Sequence, residues 1–109
     1  MIYVKLNNEL YPATVNGRVA DYDWDNRSSK AITLAMSYED AINVFVNGLV
    51  WSIIEKQEID GEVYENEYDN AEYNIAGDIT DHRDGTITAK MGKLTDLEEA
   101  YEIIFGGNA

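Results

Sequence analysis

A chain of 109 residues with 45% hydrophobic content is expected to fold as one domain, residues 1–109, burying roughly 65% of the surface its unfolded form exposes. Twenty-one acidic residues against eight basic ones leave a net charge of −13, a field that repels nucleic acid and anionic membranes and attracts basic proteins. The lack of cysteine excludes a disulfide framework and thiolate metal sites, and no apolar run approaches the ~20 residues that span a bilayer.

Ile2, Val4 and Leu6 alternate with Tyr3 and Lys5, the period of a half-buried strand. No basic stretch leads into an apolar one at the start, so no secretory signal is expected and a reducing cytoplasm suits the chain. Asn7-Asn8 predicts a tight hairpin turn, with Glu9 to Val15 running back. Pro12 has no N–H to give a ladder, which predicts an edge strand or a bulge there. Gly17 to Ser29 reads as a strand end followed by a loop, and Ile32, Leu34 and Met36 as the next strand.

Ser37 with Asp40 forms a capping-box pattern ahead of Tyr38, Ala41, Ile42 and Phe45, an apolar stripe at helical spacing. Asn47-Gly48 is the expected end of that helix. Leu49 to Ile54 is almost continuously apolar, as in a strand covered on both faces. An acidic stretch follows, with turns offered by Gly61 and by the Glu65-Asn66 region, read as a protruding hairpin or an extended loop. Tyr73, Ile75 and Ile79 resume strand alternation, Asp84-Gly85 predicts a hairpin turn, and Ile87, Ala89 and Met91 return. Thr95 with Glu98 repeats the capping box before a second stripe of Leu97, Ala100, Tyr101 and Ile104, closed by Gly106-Gly107.

These elements recur in order. Tyr38 to Gly48 aligns without gaps with Leu97 to Gly107, Ile32 to Met36 with Ile87 to Met91, and Val15 to Asp21 with Ile75 to Asp81. The copies differ in length only in their connections, as a structural repeat would. The expected fold is therefore α+β: a mainly antiparallel sheet with two helices on one face, built from a duplicated strand–strand–helix unit. The copies span roughly 9–48 and 72–107, with an acidic connection at 55–72.

Chemistry-bearing motifs are scarce. Asp21-Tyr22-Asp23-Trp24-Asp25 begins like a calcium loop, but the sixth position is Asn26 and the twelfth Ile32, where glycine and a bidentate glutamate are required. No metal site is expected; alternation there would set Tyr22 and Trp24 on one face and the three carboxylates on the other. His82, the single histidine, sits in a polar turn with no marked nucleophile or orienting partner. No serine lies in a nucleophile elbow and no glycine loop is placed to cradle phosphate. No catalytic residue and no cofactor are expected.

The stretch Glu55–Asp84 is where a function shows. It holds eleven acids and two bases. If Glu58, Asp60 and Glu62 lie on one strand, their carboxylates share a face at about 6.8 Å intervals. One such row is sparser than the ~3.4 Å charge spacing of a DNA strand. A second row from Glu65, Glu67 and Asp69 on a paired strand permits mimicry of a phosphate backbone. Tyr64 and Tyr68 lie among these acids, a combination suited to an interface that meets Arg and Lys. The candidate partner-binding residues are thus Glu58, Asp60, Glu62, Tyr64, Glu65, Glu67, Tyr68 and Asp69.

Asp23-Trp24-Asp25-Asn26-Arg27 leading into Ile32-Thr33-Leu34-Ala35-Met36-Ser37-Tyr38 resembles small proteins of bacteriophages and prophages of Gram-positive bacteria. So do Glu67-Tyr68-Asp69-Asn70, Asp78 through Gly85, and Lys90-Met91-Gly92-Lys93. Two roles are implied by that resemblance. Small, acidic, cysteine-free proteins of this kind resemble anti-CRISPR inhibitors, several of which occupy the DNA-binding groove of a CRISPR nuclease. Strand-then-capped-helix units resemble phage tail and virion-assembly accessory proteins. Neither class supplies a motif that assigns roles to residues here. The leading expectation is a non-enzymatic inhibitor in the bacterial host cytoplasm. It would bind a basic nucleic-acid-handling protein such as a CRISPR effector nuclease, with no direct contact to nucleic acid or membrane.

Overall fold

Asn7 and Asn8 take φ angles of 51° and 69°, the left-handed region that asparagine tolerates and a two-residue hairpin needs. They turn β1 (Ile2–Leu6) back into β2 (Glu9–Asp21). The computed structural model describes residues 1–101. Five further strands complete an antiparallel sheet: β3 (Arg27–Ala35), β4 (Trp51–Ile59), β5 (Glu62–Asp69), β6 (Ile75–Asp81) and β7 (Thr86–Gly92). Their spatial order is β5-β4-β1-β2-β3-β7-β6. Two short helices, α1 (Tyr38–Val44) and α2 (Asp96–Tyr101), accompany it. The expected α+β class and mainly antiparallel sheet are both present.

β2 departs from expectation. It is the central strand rather than an edge, and it continues to Asp21. Proline is tolerated because Pro12 stands where β2 changes partners: it is the last residue in register with β1, opposite Tyr3, and Ala13 is the first in register with β3, opposite Leu34. The loop expected over Gly17–Ser29 shrinks to the five residues between β2 and β3. A register irregularity between Arg18 and Asp21 bends the end of β2.

Alternation along the strands sorts side chains between two faces. Val4, Leu6, Ile32, Leu34, Ile87, Ala89 and Met91 form the inner face, buried together with Leu49 and Trp51. Trp51 is 1% exposed and its indole Nε1 donates to the Tyr73 carbonyl at 2.9 Å. Ile54, of opposite parity, is also buried, so β4 is covered on both faces at that point. Of the apolar run expected to be covered throughout, Leu49 and Val50 precede the strand and Val50 is exposed.

α1 lies against β6 and β7. Its cap forms as expected, with the Asp40 amide donating to Ser37 Oγ at 3.1 Å. The helix stops at Val44, short of Asn47-Gly48, and half of its predicted stripe is used. Ala41 and Phe45 enter the core, whereas Tyr38 and Ile42 stay exposed. Two turns of helix present too narrow a face to bury all four. Asn47 instead accepts the Ala76 amide through its side chain, tying the turn to β6.

The second capping box closes in both directions: Glu98 N donates to Thr95 Oγ1, and Thr95 N donates to Glu98 Oε1. Leu97 and Tyr101 are nonetheless exposed, and no α2 residue among those described is buried. The expected second stripe is not packed there; Ile104 and Gly106-Gly107 lie outside the described residues. α2 meets the sheet through Glu98, which holds Arg27. Arg27 has the opposite parity on β3 from Ile32 and Leu34, so this contact does not place α2 on the face of α1.

Candidate functional site

The acidic stretch after Ile54 is an ordered hairpin; Glu65 and Asn66, expected to offer a turn, instead lie within β5, paired with Lys56 and Glu55. β4 and β5 pair from Ser52↔Asp69 to Ile59↔Glu62, and Asp60-Gly61, with φ angles of 53° and 81°, make the turn. On its other side β4 is bordered by β1 only as far as Met1. The Met1 ammonium donates to the Lys56 carbonyl at 2.7 Å, and the Lys56 amide donates to the Met1 carbonyl at 2.9 Å. From Gln57 to Tyr64 the hairpin has no third strand among the described residues and extends past the end of β1. Every β5 residue is exposed.

The pairing settles which side chains share a face. Glu65, Glu67 and Asp69 form one row along β5, as expected, together with Val63 and, across on β4, Ser52, Ile54, Lys56 and Glu58. Tyr64, Tyr68 and Glu62 point to the opposite face with Glu55, Gln57 and Ile59. The proposed first row therefore does not exist: Glu58 and Glu62 are on opposite faces and Asp60 is in the turn. The cause is the turn itself, which interrupts the alternation on which that row depended. The two expected rows reduce to a single one along β5, and Glu58 is the carboxylate that joins its face from β4.

Charge on the hairpin is only lightly countered. Between Glu55 and Asp69 there are seven acids and one base. Lys5 Nζ approaches Glu67 at 3.8 Å, and Lys56 lies opposite Glu65 in register, with its Nζ 5.3 Å from the Tyr3 ring centre. Asp69 uses one oxygen to accept the Ala71 amide at 2.9 Å, shaping the exit from β5. Tyr64 donates to Glu62 at 3.0 Å and, like Tyr68, is about half exposed. The arrangement offers the carboxylate row on one face and, on the other, phenol rings together with Glu55 and Glu62.

A second polar cluster lies on the outer face of the β2–β3–β7–β6 half. Asp21, fully buried, accepts Lys90 Nζ at 2.8 Å, Ser29 Oγ at 3.1 Å and the Asp23 amide at 3.2 Å. The Lys90 hydrogen bond is the main reason its carboxyl lies below the usual carboxylate range, outweighing the opposing effect of burial. Arg27, 5% exposed, gives both terminal nitrogens to Glu98, at 2.7 and 3.1 Å. Its guanidinium lies 5.0 Å from the Trp24 ring centre. Trp24 in turn covers Gly77 and Gly92. Tyr22 is exposed and Trp24 half-buried, so the expected common face for these two rings is replaced by a turn. Apart from Arg27 Nε, which is buried without a partner among the described residues, these groups pair with one another and fasten the end of the β2–β3 hairpin and α2 to the sheet.

The pairing of Asp21 with Lys90 had no local signature; a lysine set between Ala89 and Met91 was the one hint of a partnered charge. His82 is exposed, with Nε2 2.7 Å from Thr88 Oγ1. Among the described residues no group of His, Cys, Asp or Glu is arranged to hold a metal ion. Nor is any helix among them long and apolar enough to cross a membrane.

The described residues form an α+β fold with a seven-stranded antiparallel sheet and a projecting acidic hairpin. Compared with protein-family models, curated proteins and solved structures, the chain matches none.

Proposed function

We propose that this chain is a phage- or prophage-borne binding protein that acts without catalysis, in the host cytoplasm, by presenting the β4–β5 hairpin to a basic surface of a nucleic-acid-handling protein. A CRISPR effector nuclease is the target class to which the resemblance of its sequence points. The observation that supports this reading is the hairpin's geometry. It is ordered, projects past the third strand, and carries Glu65, Glu67 and Asp69 in one row with a single lysine among its own residues. A partner that normally grips phosphates meets carboxylates there, and such an attraction weakens as salt rises.

The scaffold beneath it is read as a doubled unit. β2–β3–α1 and β6–β7–α2 follow one order, and Thr33 and Thr88, equivalent positions of the two blocks, stand opposite each other.

The test is DNA cleavage by a guide-loaded CRISPR effector nuclease, with and without this protein, at low and high salt. Inhibition that fades with salt and is lost on replacing Glu62, Glu65, Glu67 and Asp69 by Gln or Asn is the expected result. Unchanged inhibition by that variant would remove the acidic-hairpin mechanism, and no inhibition by the native chain would remove the target class.

A further inference from the structure

Among the described residues, β5 is hydrogen-bonded to a strand on one side only. Which of its backbone groups face the open side follows from the ladder. The Asn70 amide donates to the Trp51 carbonyl at 2.9 Å, so 51 and 70 form a hydrogen-bonded pair. Bonded pairs recur at every second residue of an antiparallel ladder. The inward-bonding residues of β5 are accordingly Glu62, Tyr64, Asn66 and Tyr68. The exchange between Met1 and Lys56 agrees, since it assigns the alternate residues of β4 to β1. Val63, Glu65, Glu67 and Asp69 are left with N–H and C=O directed outward.

Three of those four residues carry the carboxylate row. A free strand edge is a template for another strand, and proteins usually blunt it with proline, a bulge or charged side chains, lysine above all. The charges on β5 are all carboxylates, which repel an acidic strand and not a basic one. β5 has no proline, no glycine, no lysine and an unbroken register with β4. A second copy of this chain is a poor occupant, because antiparallel pairing of β5 with itself places carboxylates against carboxylates, and like charges opposed across strands destabilise. A basic strand meets the opposite condition.

We infer that the β5 edge takes an extended segment of a partner protein as an added antiparallel strand, with Lys or Arg at every second residue opposite Glu65, Glu67 and Asp69. The intervening residues of that segment lie on the face of Tyr64 and Tyr68. Main-chain hydrogen bonds give the attachment and the alternate charges set its register. This rests on the basic-partner reading above and adds to it the mode of contact.

The experiment uses the full chain and a synthetic peptide of alternating Lys and Thr, with two N-methylated isomers of equal charge. In one, the lysine amides that would bond to β5 are methylated; in the other, the threonine amides that would point away. At low salt the parent peptide is expected to bind and to slow hydrogen exchange at the amides of Val63, Glu65, Glu67 and Asp69. The lysine-methylated isomer is expected to bind about ten-fold more weakly, and the threonine-methylated isomer like the parent. Equal binding of both isomers, or a weaker threonine-methylated one, overturns strand addition while leaving attraction to a basic partner in place. No binding of any peptide at low salt overturns both.

Discussion

Thr33 and Thr88 face each other across the β3–β7 pair, their hydroxyls 2.7 Å apart. Thr14 stands opposite Thr33 on its other side and Thr80 opposite Thr88, so four threonines cross four strands on the outer face. Paired hydroxyls of this kind stabilise a sheet modestly. In a double-mutant cycle of Thr33→Val and Thr88→Val, a coupling of about 0.5–1 kcal/mol is expected in urea unfolding. Coupling indistinguishable from zero would mean that water serves each hydroxyl equally well.

Trp24 lies on two glycines. A Cβ placed on Gly77 would sit 2.7 Å from Trp24 Cη2, and one on Gly92 would sit 2.8 Å from the same atom and 2.7 Å from Arg27 Cδ. Gly77→Ala is expected to destabilise by roughly 1–3 kcal/mol through overpacking, since no positive φ is involved. The two nearest atoms belong to the indole, with Lys90 Cβ next at 3.1 Å, so Trp24→Leu should relieve most of the added cost. An equal penalty for Gly77→Ala in both backgrounds would place its cause elsewhere.

The Arg27–Glu98 contact makes a pH prediction. The Arg27 hydrogen bonds, helped by the Thr95 amide, hold the Glu98 carboxyl at about 2, below its ordinary 4.5. A lowered carboxyl pKa adds stability that is fully present above 4.5 and is lost as pH falls toward about 2. The carboxylate side chain is 41% exposed, and solvent screening reduces the contribution to about 1 kcal/mol. Glu98→Gln should remove that increment at neutral pH and flatten the stability profile across this window. A Glu98 carboxyl that titrates near 4.5 by NMR would show that the contact does not persist in solution.

Trp51 joins the core to the segment before β6. Trp51→Phe keeps an aromatic ring in place but removes the donor to the Tyr73 carbonyl, and a cost of about 1–2 kcal/mol is expected. The loss should appear as faster hydrogen exchange around Tyr73 as well as a lower midpoint. Exchange that is unaltered there would indicate that the carbonyl finds another donor.

Neutralising the hairpin should leave the fold untouched. Glu65, Glu67 and Asp69 are exposed on a strand whose packing is carried by β4, and exposed substitutions usually change stability by less than about 0.5 kcal/mol. Glu65→Gln with Glu67→Gln is therefore expected to unfold at the native midpoint while weakening attachment to a basic partner. A large drop in stability would show that the row is structural.

Much of this architecture was legible because its signals are local. Asn7-Asn8, Ser37 with Asp40, Asp84-Gly85, and Thr95 with Glu98 each act within a few residues, and each forms the turn or cap its chemistry specifies. The acidic hairpin was half legible. Its charge and its row at Glu65, Glu67 and Asp69 follow from composition and alternation, whereas the turn at Asp60-Gly61 set Glu58 and Glu62 on opposite faces.

Sequence alone determined most of the turns and caps, the apolar alternation and the place where negative charge accumulates, since these depend on neighbours along the chain. Only the tertiary structure decided that β2 runs through the middle of the sheet, and that α1 buries Ala41 and Phe45 but not Ile42. It also decided that Asp21 is enclosed by Lys90, 69 residues away, and that Glu98 reaches Arg27 across 71. Strand order and burial are set by pairings between distant segments, where the gain from closing one hairpin against another depends on surfaces that no local window contains.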